Sequence, residues 1–174
     1  MAGPVLVTTA GQSPPPTPQD DAAPGSMLAS LRAYAAAERR TKHLDVPVAG
    51  RELLVVQYGY LGLEAMDRYS ELQPGQIKAT SLTMDMLTSA CRTVFYRHDG
   101  KLEDLEVGLD GRLWSVLGWP LPRGIERAED VPAPDVVLEL FDGNGMALVA
   151  HAERVITWMQ NPDALGEGSA ATTE

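Results

Sequence analysis

Residues 44–58 read LDVPVAGRELLVVQY, and their pattern differs from that of the segments on either side. Apolar residues alternate before the Ala49-Gly50 pair and again after it. Alternation with a period of two predicts strands, and a glycine-containing pair between two such runs predicts a turn. Pro47 cannot donate a backbone hydrogen bond to a sheet, so the first strand is predicted to lie at an edge. The stretch therefore predicts a β-hairpin.

The segments around this hairpin carry helical patterns. In residues 81–95, apolar residues recur at every fourth position on two adjacent rows, which is typical of an amphipathic helix. A lone hairpin is marginal in water, so it is expected to pack on the helices. The predicted fold class is mostly α (α+β). We expect a compact helical domain of about five helices with one small β-hairpin near residues 44–58. The helical segments are residues 27–42, 62–72, 81–95, 110–118, 133–141 and 144–160.

Composition predicts the limits of this domain. Residues 1–25 are rich in proline, glycine and alanine, and are expected to form a disordered tail because they bury little apolar surface. Their PPPTP run is either a polyproline ligand for a partner or part of a plain flexible tail. Residues 26–160 are predicted to form the single helical domain with its hairpin. Residues 161–174 are predicted to be a flexible tail, since Pro162 stops the preceding helix.

Charge and composition argue against several classes of protein. The chain has 174 residues and a net charge of −10, and its one basic cluster, residues 39–43, is better explained as a helix end than as a nucleic-acid footprint. No apolar stretch is long enough to span a membrane, and the first residues do not resemble a signal peptide. The single cysteine is compatible with a reducing compartment. We expect a cytoplasmic protein without nucleic-acid or membrane partners.

The chemistry-bearing residues do not form a catalytic pattern. Cys91 with His98 or His151 is the first arrangement to consider for covalent catalysis, but Cys91 falls on an apolar helical stripe, which is typical of a small buried hydrophobe. The histidines lack metal-ligand spacing, and the acidic residues 103–110 alternate with apolar ones, unlike a calcium loop. No phosphate-binding glycine motif is present in the sequence. We therefore expect no enzyme, no metal site and no cofactor.

Two features instead indicate binding to another chain. Trp119 lies between Gly118 and Pro120 in a predicted loop, where it either covers the core or contacts a partner. The edge strand with Val46, Pro47 and Val48 either offers backbone pairing to a client or to a second copy, or is blunted by its proline. These four residues, Trp119, Val46, Pro47 and Val48, are the candidate partner-binding residues.

Three stretches resemble the tail assembly chaperones of siphophages that infect actinobacteria. They are LDVPVAGRELLVVQY, then LTSACRTVFYRHDGKLEDL, which in that family is a helix running into a hairpin, and the closing ALVAHAERVITWM. Their order and spacing agree with the family over roughly residues 44–159. The motifs are structural, and the Pro-rich N-terminal segment and the Val-Ala-Gly turn are not distinctive of the pattern.

The resemblance implies a protein without catalytic residues that acts in the host cytoplasm. Such chaperones bind the tape-measure protein, keep it soluble, and promote assembly of the tail-tube protein around it; the family often makes a longer product by frameshifting. Self-association is a further expectation. The alternative is a structural virion component, such as a tail or connector subunit, and the presence of the protein in purified particles would distinguish the two.

Overall fold

The computed structural model of the protein describes residues 42–162, except for the side chain of Leu63. Within these residues, four antiparallel strands form one sheet whose spatial order, β1-β2-β3-β4, is also their order along the chain. The strands are β1, His43–Val48; β2, Arg51–Gly59; β3, Cys91–His98; and β4, Lys101–Asp104.

Five helices accompany the sheet in the described part of the chain. α1 and α2 lie between β2 and β3, and the other three follow β4. A single 3-10 turn, Ala128–Asp130, separates α3 from α4. The helices are α1, Leu63–Arg68; α2, Ser81–Ala90; α3, Gly111–Val116; α4, Ala133–Leu140; and α5, Gly145–Gln160.

The predicted fold class is wrong. The hairpin at residues 44–58 is present, but it is only half of a four-stranded sheet, so the protein is a mixed α+β structure and not a mostly helical one. The error lies in residues 81–95, which were expected to form one helix. The helix ends at Ala90, and the chain continues directly into β3 at Cys91.

The side chains of residues 91–98, CRTVFYRH, explain why the helix stops. Thr93, Val94, Phe95 and Tyr96 are β-branched or aromatic, and such residues favour a pleated surface. Cross-strand pairing with β2 places Val94 opposite Val56, and both side chains are fully buried. The four-residue spacing that suggested a helix also satisfies a period of two, so periodicity alone could not separate the two structures.

A tight turn adds the fourth strand. Asp99 and Gly100 have φ angles of 49° and 75°, and two consecutive positive φ angles define the turn type whose twist suits a two-residue hairpin. Asp-Gly is a preferred pair for this turn because aspartate tolerates the left-handed region and glycine has no Cβ to clash. The turn pairs His98 with Lys101 and starts β4.

Pro47 lies in an edge strand, as its missing N–H group requires. The register between β1 and β2 shifts between Pro47 and Val48, whose partners in β2 are Val55 and Arg51, so the extra residues of this irregularity lie in β2. Pairing of the outer edge of β1 with another chain stays a prediction.

The core lies between one face of the sheet and the helices. Val46, Val56 and Val94 form a cross-strand row on this face, and each is at most 1% exposed. α5 packs against β1, and α2 contacts β2, α4 and α5. The apolar face predicted for α5 is confirmed, since its members are all 2% exposed or less: Leu148, Ala152, Val155, Ile156 and Met159.

The opposite face of the sheet also carries apolar side chains. Val55 has Pro47 and Phe95 as its cross-strand neighbours and is 2% exposed, but it does not belong to the core cluster. Both faces of β2 are thus apolar near its middle. This explains why the sequence reads Leu-Leu-Val-Val at residues 53–56 and does not alternate strictly.

Several predictions fall on residues outside the described part of the chain. They are the N-terminal tail of residues 1–25, nearly all of the helix at residues 27–42, and the C-terminal tail beyond residue 162. Within residues 42–162, no helix combines the length and the apolar character that crossing a bilayer requires.

Candidate functional site

A cleft of about 530 Å³ opens beside the turn of the first hairpin. One wall is the beginning of β2, and the other comes from β3 and the segment that follows α3. Its lining is mainly apolar and aromatic, with two charged residues, which is the composition of most binding clefts. The lining residues are Gly50, Arg51, Glu52, Leu53, Leu54, Tyr96, Leu117 and Trp119.

Trp119 is held in this cleft by a second tryptophan. Its ring meets that of Trp114 edge to face, with centroids 5.1 Å apart and an interplanar angle of 84°. Trp114 is 5% exposed and belongs to the core, while Trp119 is half-buried. One side of Trp119 therefore rests on the core and part of the ring faces the cleft. Its contact with a partner stays a prediction.

Arg51 fixes the other side of the tryptophan. Its guanidinium carbon lies 4.8 Å from the centre of the Trp119 ring, in a cation-π contact. The same guanidinium donates to the carbonyl oxygens of Glu139 at 2.8 Å and Leu140 at 3.1 Å. These carbonyls end α4, where the helix dipole favours a cation. A ring fixed in this way gives a partner a preorganised surface.

An exposed apolar side chain lies in the cleft wall. Leu53 is 52% exposed although it sits in a strand. It is one of five large apolar side chains that are at least 44% exposed in the described part of the chain, and of these five it alone lines the cleft. The other four are Leu102, Val116, Leu121 and Met146.

Carboxylates surround the single cation of this cleft. Arg51 pairs with Asp142 at 2.6 Å and with Glu139 at 3.4 Å, and both carboxylates keep substantial solvent exposure, 67% and 41%. Glu52 lines the cleft directly and is exposed. Among the described residues that line the cleft, Glu52 and Arg51 are the charged ones, and the two further carboxylates are held beside the cleft by their pairing with Arg51.

Val46 and Val48 do not reach this surface. Both are 1% exposed and point into the core, so their side chains are not accessible to a partner. Pro47 is exposed on the edge strand, where its partner in β2 is Val55. The structure brings none of these three residues together with Trp119 in the cleft.

Sequence reasoning missed Arg51, Leu53 and Tyr96 as members of this surface. A signal for Leu53 was present: in a strand with one buried face, the residue between Glu52 and Leu54 should be outward-facing, and a leucine there is unexpected. Arg51 and Tyr96 carry no such signal, because their roles depend on contacts with α4 and with the segment after α3.

A buried histidine lies apart from the cleft, under β1 and β2. His151 is 4% exposed, and its Nε2 is 2.8 Å from the hydroxyl of Tyr58. Loss of hydration is the largest cause that lowers the pKa of His151, to about 3, followed by the positive charge of Arg154. A hydrogen bond with the Pro47 backbone opposes this shift, and the ring must donate it because proline has no N–H.

These contacts define the protonation of the His151 pair. The ring is neutral and its other nitrogen carries the proton. Nε2 therefore accepts a hydrogen bond from the Tyr58 hydroxyl. Burial also raises the pKa of Tyr58 well above its ordinary value. The pair is therefore a satisfied core contact between α5 and the first hairpin, in which both partners are uncharged.

Cys91 lies where the chain passes from α2 into β3 and is partly buried. Loss of hydration raises the pKa of its thiol to about 12; the negative charge of Asp110 adds to this, while a hydrogen bond with the Leu109 backbone acts in the opposite direction. A nucleophilic cysteine needs a lowered pKa. The arrangement around Cys91 has the opposite effect.

Metal ligands do not gather among the described residues, where no three histidine, cysteine or acidic side chains are placed to share an ion. His98 is exposed and pairs with Asp99 beside it, at 3.2 Å, while His151 is bonded to Tyr58. The acidic residues at the end of β4 serve local structure: Asp104 accepts from the Glu106 N–H at 2.7 Å and from the Thr93 hydroxyl.

A second, wider groove lies at the start of α5. It has a volume of about 740 Å³ and lies between the Ile77–Ala79 segment and the first turns of the helix. Met146 lines it and is 85% exposed. No aromatic residue lines this groove, so it lacks the rigid ring that marks the cleft at Trp119.

The chain matches no protein-family model, no curated protein and no solved structure. The resemblance to tail assembly chaperones is accordingly untested by these comparisons and stays a prediction.

Proposed function

We propose that this protein is a tail assembly chaperone that binds an apolar segment of the tape-measure protein of a siphophage and keeps that protein soluble in the host cytoplasm. The observation that carries the proposal is the open cleft with its half-buried tryptophan, Trp119, held between Trp114 and Arg51. Tryptophan and arginine are enriched where binding energy concentrates. The sequence resemblance supplies the identity of the client.

Burial of apolar side chains supports a binding role for the cleft. A client leucine or phenylalanine placed against Leu53 and Trp119 would lose its hydration, and burying such a side chain contributes roughly 1.5–3 kcal/mol. The interaction needs no covalent step, so it is reversible, as a chaperone requires. The net charge of −10 would keep the loaded complex soluble.

Promotion of tail-tube assembly is a further part of the proposed role. The chaperone would release its client as tube subunits cover the same apolar segments of the tape-measure protein. An affinity set by one cleft and a few exposed side chains is compatible with such a handover, because small interfaces exchange more readily than obligate ones.

Co-expression with the tape-measure protein tests the proposal. We expect the tape-measure protein to shift into the soluble fraction and to co-purify with the wild-type chain. Leu53→Asp should abolish both effects, because it places a charge in the cleft wall. The matched control is Met146→Asp, at a side chain that is 85% exposed and outside this cleft. Unchanged client solubility without co-purification would reject the proposal.

Analysis of purified phage particles separates the proposed role from that of a virion component. A chaperone is expected to be absent from finished particles, whereas a tail or connector subunit would be present in a fixed ratio to the tube protein. Stoichiometric recovery of this chain in particles would therefore refute the chaperone role.

A further inference from the structure

The charges around the cleft at Trp119 select among possible client segments. Glu52 lines the cleft, and Glu139 and Asp142 are the carboxylates that pair with Arg51 at its edge. Arg51 is the only cation among the described lining residues, and its charge is already engaged by two carboxylates. Glu52, Glu139 and Asp142 thus set three carboxylates against one guanidinium at the Arg51 end of the cleft.

We propose that the cleft binds a segment in which large apolar side chains are flanked by lysine or arginine. This inference rests on the proposed function and specifies its client chemistry. The apolar side chains would contact Leu53, Leu117 and Trp119, while the basic groups would lie against the exposed carboxylates. Complementary charge of this kind favours encounter and discriminates against acidic partners, for which like charges would meet.

The arrangement of the carboxylates supports electrostatic selection. Asp142 and Glu139 are held close to Arg51 yet retain 67% and 41% side-chain exposure, so each can accept a further hydrogen bond from solvent or from a partner. Each exposed ion pair is weak, so we expect two or three of them together to change the affinity about tenfold between a basic and an acidic segment, which corresponds to about 1.4 kcal/mol.

Binding of labelled synthetic peptides provides the test. Three peptides share the same leucines and differ only in the flanking residues, which are lysine, glutamine or glutamate; fluorescence anisotropy measures their affinity for the full chain. We expect the lysine peptide to bind about tenfold more tightly than the glutamate peptide. The difference should shrink at high salt, because exposed charges are screened.

Variants of the lining residues test whether a preference for the lysine peptide arises at this cleft. Glu52→Lys should reduce the preference for the lysine peptide, and Leu53→Ser should weaken binding of all three. The matched charge control is Glu71→Lys, at an exposed residue that does not line the cleft, and it should leave the preference unchanged.

The outcomes distinguish this inference from the proposed function. Equal affinity for the three peptides, with weaker binding by the Leu53→Ser variant, would overturn the charge selection and leave the apolar cleft as a client site. A preference for the glutamate peptide, or an equal effect of Glu52→Lys and Glu71→Lys, would also overturn it. Failure of all three peptides to bind would overturn both the inference and the assignment of client binding to this cleft.

Discussion

Arg51 joins parts of the molecule that are far apart in the sequence. Its guanidinium bonds the two carbonyls at the end of α4, pairs with Asp142 and covers the ring of Trp119. Arginine suits this position because its planar group can bond in several directions and stack on a ring at once. A lysine would supply the charge without the fork of donors.

Arg51→Ala is expected to lower the free energy of unfolding by about 1.5–3 kcal/mol, because hydrogen bonds from a charged donor to partly buried carbonyls are lost. Urea denaturation measures the change. The matched control is Arg112→Ala, whose exposed guanidinium pairs with Asp110, two residues away; there we expect a smaller loss, because exposed ion pairs contribute little. Equal losses in the two variants would contradict the role of Arg51.

His151 makes stability depend on pH. Its pKa is about 3 in the folded chain, against an ordinary value of 6.5, so the unfolded chain binds a proton more readily. The stability that the folded chain gains from keeping His151 neutral is fully present above pH 6.5, and it is lost as the pH falls from 6.5 towards 3. We expect a loss of about 2 kcal/mol on going from neutral pH to roughly pH 5.

Urea denaturation at a series of pH values tests this effect of His151. His151→Gln should show a smaller loss of stability over the same range, whatever its stability at neutral pH. His98→Gln is the matched control, since it leaves the buried ring in place. If His151→Gln keeps the full pH dependence of the wild-type stability, the buried imidazole ring is not the cause of that dependence.

The start of α3 depends on a glycine. A Cβ on Gly111 would lie 2.2 Å from the carbonyl oxygen of Ala128 and 2.8 Å from the Cα of Glu129. Both atoms belong to backbone, so the helix and the 3-10 turn would have to move apart. Gly111→Ala is expected to lower the free energy of unfolding by about 1–3 kcal/mol, as overpacking does.

Gly108→Ala serves as the matched control for this element. Its Cβ would meet only the Asp110 carboxylate, at 3.7 Å, and the expected change is below about 1 kcal/mol. Thermal and urea denaturation compare the two variants. Similar stability of the two variants would contradict the prediction, because it would mean that α3 and the 3-10 turn can move apart at little cost in free energy.

α5 begins at a side-chain cap. The Asn144 side-chain oxygen accepts from the backbone N–H groups of Met146 and Ala147, both at 3.1 Å. Asn144→Ala is expected to lower the free energy of unfolding by about 1 kcal/mol, whereas Asn144→Asp should retain the cap and change it by a few tenths. Urea denaturation that finds the same loss for both would argue against capping as the cause.

The sequence predicted elements well where local signals agree. α4 and α5 lie within one residue of the predicted segments 133–141 and 144–160, because apolar spacing, an asparagine cap and a Pro-containing first turn all favour the same boundaries. β3 was missed because residues 91–95 satisfy both helical and strand spacing. Pairing with β2, which decides between them, is a contact across 33 or more residues that no local window contains.

The candidate site was only partly predictable for the same reason. Trp119 could be singled out by its residue type and its place between Gly118 and Pro120. The cleft itself depends on how β2, β3 and the segment after α3 come together. The side chains of Val46 and Val48 are buried in the core, and pairing of their strand's backbone with a partner stays a prediction. The alternating pattern correctly predicted that Val46 and Val48 share one face of the strand. It does not show whether helices of the same chain or a partner protein cover that face.

At the scale of the whole molecule, one exposed apolar side chain of the described residues, Leu53, lines the cleft at Trp119. Leu53 is 52% exposed and is not among the residues of the core cluster, so its side chain contributes little to stability. Leu53→Ser is expected to change the free energy of unfolding by less than about 1 kcal/mol. It should at the same time lower binding of an uncharged fluorescent apolar dye, Nile red, to the folded protein.

Met146→Ser provides the comparison for that measurement. Met146 is more exposed, at 85%, but lines the groove at the start of α5 and not the cleft at Trp119. We expect dye fluorescence to fall less in this variant than in Leu53→Ser. A larger fall for Met146→Ser would place the main apolar binding surface on α5.

The order of the sheet has a consequence for synthesis. Because β1 to β4 pair in the order in which they leave the ribosome, each strand can join its predecessor without waiting for a later one. α5, which packs against β1, is translated after all four strands. Until residues 145–160 emerge, the valines of the first hairpin lack the cover that α5 gives them, so the nascent chain passes through a stage in which this apolar row is open to water.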